Sequence, residues 1–188
     1  MHKLRLIKMV RWERPYRGWH KLNTDGSAAG NPGVAGGGGV LRDDAGLWVK
    51  GFARQIGYTT SFLAELWALR DGLSMCLDLN INALEIDLDA EVVADLMNNS
   101  GSSSASNSSI VADCRLLISR FPQVKVKHCY RESNSCADAL ARLGSKMAPN
   151  FLYFSSPPPS LFNSYVLDIY GLYHSRLCPG PVVCPSLF

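Results

Sequence analysis

The sequence predicts an α/β domain built on a mixed sheet. Strand-like runs fill the first third of the chain, one long amphipathic helix follows, and strand and helix patterns then alternate to about residue 144. Successive strands pair as hairpins, whereas strand–helix alternation lays strands parallel, so the two halves together imply a sheet of both senses. Of the 188 residues, 47% are hydrophobic and 19% charged, the balance of a folded globular chain rather than a disordered one. A chain of this length can bury a core without disulfide support.

Residues 1–18 read as an arm that runs into the aromatic and Pro/Gly cluster from Trp12 to Trp19. His20 to Asp25 forms a short strand, and Gly26 to Gly33 (GSAAGNPG) is turn-like in composition. Strands over Gly36–Arg42 and Leu47–Gln55 flank the turn Asp43-Asp44-Ala45-Gly46 and make a hairpin. Gly36 to Gly39 would weaken a strand, which points either to a ligand approaching the backbone or to a bulge or tight helix packing. The best helix runs from Ser61, its N-cap, to about Leu79, with Phe62, Leu66, Leu69, Leu73, Cys76 and Leu77 in one apolar stripe. Ala83–Leu88 is the next strand, followed by a short helix over Glu91–Met97 and a polar, low-complexity loop over Asn98–Ser109. A helix over Ile110–Arg120, a strand over Val124–Tyr130 and a last core helix from Asn134 to Gly144 complete the domain, taken as residues 19–146. Residues 147–188, rich in aromatics and proline, are expected to form a loosely packed tail.

The net charge of +3 does not by itself indicate a nucleic-acid partner, but seven Lys or Arg residues against the single acid Glu13 make the first 21 residues locally basic. Such an arm either meets phosphates or stays solvated. The six cysteines form no CxxC pair and have no ligand-like spacing with the four histidines, which argues for a reducing compartment and against a zinc site. With no secretory signal and no apolar run of roughly 18 residues, the expected location is cytoplasmic or nuclear, without a membrane partner.

Four acids stand out. Asp25 ends a strand before glycine, a place that suits a turn former as well as a metal ligand. Glu65 lies at the edge of the buried stripe of its helix, where an acid must be metal-bound, protonated or paired with an arginine. Asp87 and Asp89, two apart, share one side of a strand, and spacing alone does not choose between them. Asp138 shares a helix face with Asn134 and Arg142 and, by periodicity, is an ordinary surface acid. Carboxylates are the natural ligands of Mg²⁺ or Mn²⁺, and a pair of such ions serves in-line displacement at phosphorus.

The run Thr24-Asp25-Gly26-Ser27-Ala28-Ala29-Gly30-Asn31-Pro32-Gly33 resembles the opening signature of type 1 ribonucleases H. Ala64-Glu65-Leu66-Trp67-Ala68 resembles the second motif and Glu85 to Ala90 the third. The fourth is matched from His128 to Asp138-Ala139-Leu140-Ala141. The entry Trp12-Glu13-Arg14-Pro15, the strand end Val40 to Asp43 and the run Tyr130 to Asn134 are similar to the plant branch associated with non-LTR retroelements.

The resemblance implies a five-stranded ribonuclease H-like sheet flanked by helices and action on RNA–DNA hybrids; a monomer is expected. It implies Asp25, Glu65, Asp89 and Asp138 as ligands of Mg²⁺ or Mn²⁺. His128, ten residues before Asp138, is implied as an aid to proton transfer or product release. Gly26, Ser27, Asn31, Thr60 and Asn134 are implied as substrate contacts. Two departures are visible: Ala90 follows Asp89 where the family carries Ser or Asn, and an uncharged Ser-rich loop stands where some members have a basic handle. A second reading is a hybrid-binding module or retroelement remnant with weak or no catalysis.

Overall fold

The computed structural model describes residues 5–99 and 108–179. The Ser-rich loop therefore lies almost wholly outside the described residues, as does Cys184. In chain order the elements are β1 (Arg5–Val10), β2 (His20–Gly30), β3 (Gly33–Arg42), β4 (Trp48–Thr59), α1 (Ser61–Asp78), β5 (Ala83–Leu88), α2 (Glu91–Asn98), α3 (Ser109–Ile118), β6 (Gln123–His128), α4 (Ser135–Lys146), β7 (Phe151–Phe154), α5 (Phe162–Ile169) and β8 (His174–Pro179). The main sheet has the order β6-β5-β2-β3-β4-β7. β2, β5 and β6 are parallel, and the β2–β3, β3–β4 and β4–β7 pairs are antiparallel.

This is the mixed sheet expected, with a sixth strand added at one edge. On one face α1 and α3 cover Leu22, Leu84, Ile86 and Leu88. On the other, α4 and α5 close over Val40 and Ala53 with Cys136, Leu140, Leu161 and Tyr165. All five described cysteines are free, and Cys76, Cys114 and Cys136 are buried as small apolar side chains.

Three expectations need correcting. First, Gly26 to Gly30 is strand rather than turn: β2 continues to Gly30, with Ala28 opposite Ala35. No proline interrupts the amide ladder there, and the glycines serve approach instead of turning. A Cβ on Gly26 would lie 2.2 Å from the Glu65 backbone nitrogen. Second, the cap of α1 is Thr60, whose Oγ1 accepts from the Leu63 amide at 3.3 Å. Third, residues 147–179 are not loosely packed. β7 pairs with β4 and covers what would be an open sheet edge, Leu161 and Tyr165 are buried, and β8 pairs with β1 into a separate two-stranded ribbon. Tyr165, which reads as tail composition, is core.

The glycine run has the packing explanation. A Cβ on Gly36 would meet the Ser145 amide at 2.1 Å, and one on Gly38 the Ala141 amide at 2.3 Å, so α4 lies directly on the β3 backbone. The register also shifts between Ala35 and Gly36. Gly38→Ala should therefore push α4, and Asp138 with it, away from the sheet. A loss of about 3 kcal/mol, at the upper end for overpacking, is expected in urea unfolding. Wild-type stability in that variant would show that α4 does not rest on the sheet this closely.

Candidate active site

β2 carries Asp25 at the point where α1 crosses closest to it, because Gly26 admits the Glu65 backbone. β5 is parallel to β2, so its carboxyl end delivers the next residues to the same edge. The strand ends at Leu88, and the alternation that would have put Asp87 and Asp89 on one side ends with it. Asp87 stays on the sheet face, where Lys21 donates to its Oδ2 at 2.8 Å. Asp89, beyond the strand, turns to the other two acids. Carboxylate oxygens of Asp25, Glu65 and Asp89 all lie within 4.8 Å of one another. No arginine or lysine pairs with Glu65 among the described residues. α2 starts without a side-chain cap at Ala90, whose carbonyl accepts from the Val93 amide at 2.9 Å.

The crowding is electrostatically costly. Burial first, then the charges of Asp89 and Asp138, push the Asp25 carboxyl up to about 8, against a smaller opposing pull from Arg131. Burial and then Asp25 and Asp89 raise Glu65 well above the usual carboxylate range, opposed by the Gly26 amide.

Asp138, whose charge acts on Asp25, falls outside that group of three and is held by two arginines: Arg131 Nη2 lies 2.9 Å from Oδ1 and Arg142 Nη2 lies 2.8 Å from Oδ2. Sequence reasoning missed this clamp, although Arg142 at i+4 was its legible half.

Asn134 is buried: its Nδ2 donates to the Thr24 carbonyl at 3.0 Å and its Oδ1 accepts from Asn23 Nδ2 at 3.1 Å. Trp12 Nε1 in turn donates to Asn23 Oδ1 at 2.9 Å. This chain of bonds fixes the start of α4 to the residue before Asp25, and both ends of the Asn134 amide, expected to touch substrate, are engaged inside the fold. Asn31 is exposed and its Oδ1 accepts from the Ser61 amide at 3.1 Å, beside Thr60. Ser27 is half-buried, opposite Gly36. His128 ends β6, exposed and edge-on to Tyr130 with 5.8 Å between rings, on a cleft lined by Lys127 and Cys129 rather than in the carboxylate cluster.

A family model described as reverse transcriptase-like matches residues 23–144, most of the chain and all four acids. The protein belongs to this family of ribonuclease H-type domains. An Arabidopsis thaliana protein named "Putative ribonuclease H protein" is 36% identical over 172 residues, which are 92% of this chain and 28% of that protein. The chain thus spans little more than a quarter of that relative. Among solved structures, ribonuclease H1 of Halobacterium salinarum superposes with a TM-score of 0.64 at 28% identity, covering 67% of this chain and 96% of the other. The N-terminal ribonuclease H domain of a Mycobacterium tuberculosis protein gives 0.63 at 25% identity, covering 68% and 93%. A ribonuclease H1 solved in complex with an RNA/DNA hybrid gives 0.60 at 28% identity, covering 66% and 94%. No described helix of the ribonuclease H-type domain is long and apolar enough to cross a membrane.

The donor set of the ribonuclease H-type domain fits a divalent metal. Three carboxylates, from β2, α1 and the turn after β5, converge, and Asp89 Oδ1 is buried with no hydrogen-bond partner. Hard, negatively charged oxygen ligands of this kind suit Mg²⁺ or Mn²⁺. A pH prediction follows for the metal-free protein. Asp25 moves from 3.8 unfolded to about 8 folded. A raised group contributes stability below its unfolded value and loses that contribution as pH rises through its folded value. The melting temperature without metal should therefore fall between about pH 4 and pH 8, and Mg²⁺ should offset the fall at the upper end. Thermal melts with and without Mg²⁺ check this; a pH-independent Mg²⁺ effect would count against it.

Proposed function

We propose that this domain hydrolyses the RNA strand of RNA–DNA hybrids, using two divalent ions held by Asp25, Glu65, Asp89 and Asp138. The observation that carries the reading is the convergence of three carboxylates from β2, α1 and the end of β5 within 4.8 Å. The hybrid-bound relative supports the choice of substrate. When bound, Mg²⁺ or Mn²⁺ supplies Lewis-acid stabilisation of phosphoryl oxygens and lowers the pKa of a bound water.

The chain's own residues do the rest. Asp25 and Glu65 hold the acidic centre, and burial keeps bulk water from screening it. Gly26 and Ser27 of β2, and Asn31 and Thr60 beside the start of α1, provide small groups and polar atoms for sugar and phosphate. Contact with the 2′-OH is what separates RNA from DNA. Asn134 holds α4 against β2, and with it Asp138, whose charge acts on Asp25.

A second reading, a domain that binds hybrid and cuts it weakly or not at all, is favoured by one observation. Asp138 is already occupied by Arg131 and Arg142. One experiment separates the two: labelled hybrid and labelled single-stranded RNA incubated with Mg²⁺ or Mn²⁺, beside an Asp25→Asn variant. Cleavage of hybrid only, lost in the variant, is expected. Equal cutting by both proteins sinks the mechanism, and binding without cutting selects the second reading.

A further inference from the structure

The β1–β8 ribbon and the following arm do more than close the fold. They stand over the open face of β5 and β6 and enclose a cleft of about 410 Å³ that lies across the Cys129–Ser133 segment from the carboxylates. Arg131 and Asn134, in and next to this segment, bond Asp138 and Thr24, so the cleft and the acidic centre share one wall.

Its rim is mainly basic and aromatic; of the three acids in the lining, Glu85 and Asp87 are bonded to Lys21 and Glu13 is exposed. Lys8, Arg11 and Arg14 are exposed, and none of them has a carboxylate partner among the described ion pairs. Lys8 and Arg11 rest on rings instead, as does Lys125, a neighbour outside the lining. Lys8 Nζ is 4.6 Å from the Tyr130 ring centre, the Arg11 guanidinium 4.8 Å from Tyr173, and Lys125 Nζ 4.3 Å from Tyr16. Tyr16 is 57% exposed and Tyr173 54%, so both rings stay open to a ligand. Exposed cation–ring contacts are weak, about 0.5–1 kcal/mol each, so a phosphate can take the cation and a base can take the ring.

We propose that this cleft binds single-stranded nucleic acid, namely the unpaired continuation of a strand that leaves the hybrid at the carboxylates. The inference rests on the hybrid-cleavage reading for the origin of the strand, but not for the binding itself. A cleft of about 410 Å³ admits one or two nucleotides. Cations paired with free rings are the combination that holds single strands with little sequence preference. The cleft provides the grip that the missing basic handle would otherwise supply.

The test is fluorescence anisotropy of the full chain, in EDTA, with labelled 12-nucleotide DNA, RNA and abasic strands. Wild type is compared with a Lys8→Ala/Arg11→Ala/Arg14→Ala triple variant and with Tyr173→Leu, each first shown to melt like wild type. Three lost phosphate contacts should weaken binding at least tenfold and flatten the log–log salt slope by about 2. Tyr173→Leu and the abasic strand should each weaken it about fivefold or more with the slope unchanged, the sign of a lost stack. Preference for RNA or DNA identifies which strand is followed. The proposal is overturned if neither strand binds, if the triple variant binds like wild type, or if the abasic strand binds as well as the base-bearing one. Blunt hybrid cut normally without strand binding removes this proposal alone. Strand binding without cleavage of any hybrid removes the nuclease reading alone.

Discussion

Replacing Glu65 by Gln is expected to lower hybrid cleavage about a thousandfold or more while leaving the fold intact. The metal site is asked for several kcal/mol of transition-state stabilisation, and about 4 kcal/mol corresponds to a factor of roughly 10³. Gln keeps the shape of the side chain on α1 but removes one of three charges that converge within 4.8 Å. The metal-free protein should melt slightly higher, because a carboxylate raised first by burial and then by Asp25 and Asp89 has been neutralised. Initial rates on labelled hybrid, with melting curves alongside, read both effects. Asp87→Asn is the informative control: it should cost stability through Lys21 and retain most of the rate. Wild-type activity in Glu65→Gln would remove this residue from the centre. A loss in Asp87→Asn as deep as in Glu65→Gln would move the third ligand from Asp89 to Asp87.

Arg42→Ala should cost about 3–5 kcal/mol, the range for removing one partner of a buried ion pair. Arg42 is fully buried, its Nη1 lies 2.9 Å from Asp168 Oδ2, and its guanidinium stacks 4.2 Å from the Trp12 ring. The side chain thus ties the main sheet to the arm on one side and to α5 on the other. Removing it leaves Asp168 buried without its cation. In urea the midpoint should drop by more than about 1 M, given slopes of about 1–3 kcal/mol/M. An Arg42→Met/Asp168→Leu double variant should recover much of the loss, since apolar replacement of a whole buried pair is often neutral. A loss below about 1 kcal/mol in Arg42→Ala would show that the segment after α4 is dispensable for stability.

Much of the domain was legible because its signals are local. The apolar stripe of α1 and the alternation after it are readable from spacing, and they fix the mixed sheet. Glu65 was legible for the same reason, as an acid at the edge of a buried stripe. The failures share a cause: the deciding contact lies far along the chain. Gly26 reads as a turn residue until α1 is seen lying on it. Asp89 separates from Asp87 only because β5 ends at Leu88. Arg42 looks like a strand-end charge until Asp168, 126 positions on, is placed beside it. The aromatic residues after 147 have no helical or strand period long enough to register as core, yet Leu161 and Tyr165 fill the space between α4 and the sheet. Asp138 remained a surface acid to periodicity, and its exterior is indeed what the two arginines hold.

The pairing of β1 with β8 sets Arg5 opposite Pro179. The polypeptide therefore enters and leaves the domain at adjacent points, like the two leads of a component soldered on one side. The two ends of the described chain thus lie side by side on one ribbon, next to the basic cleft.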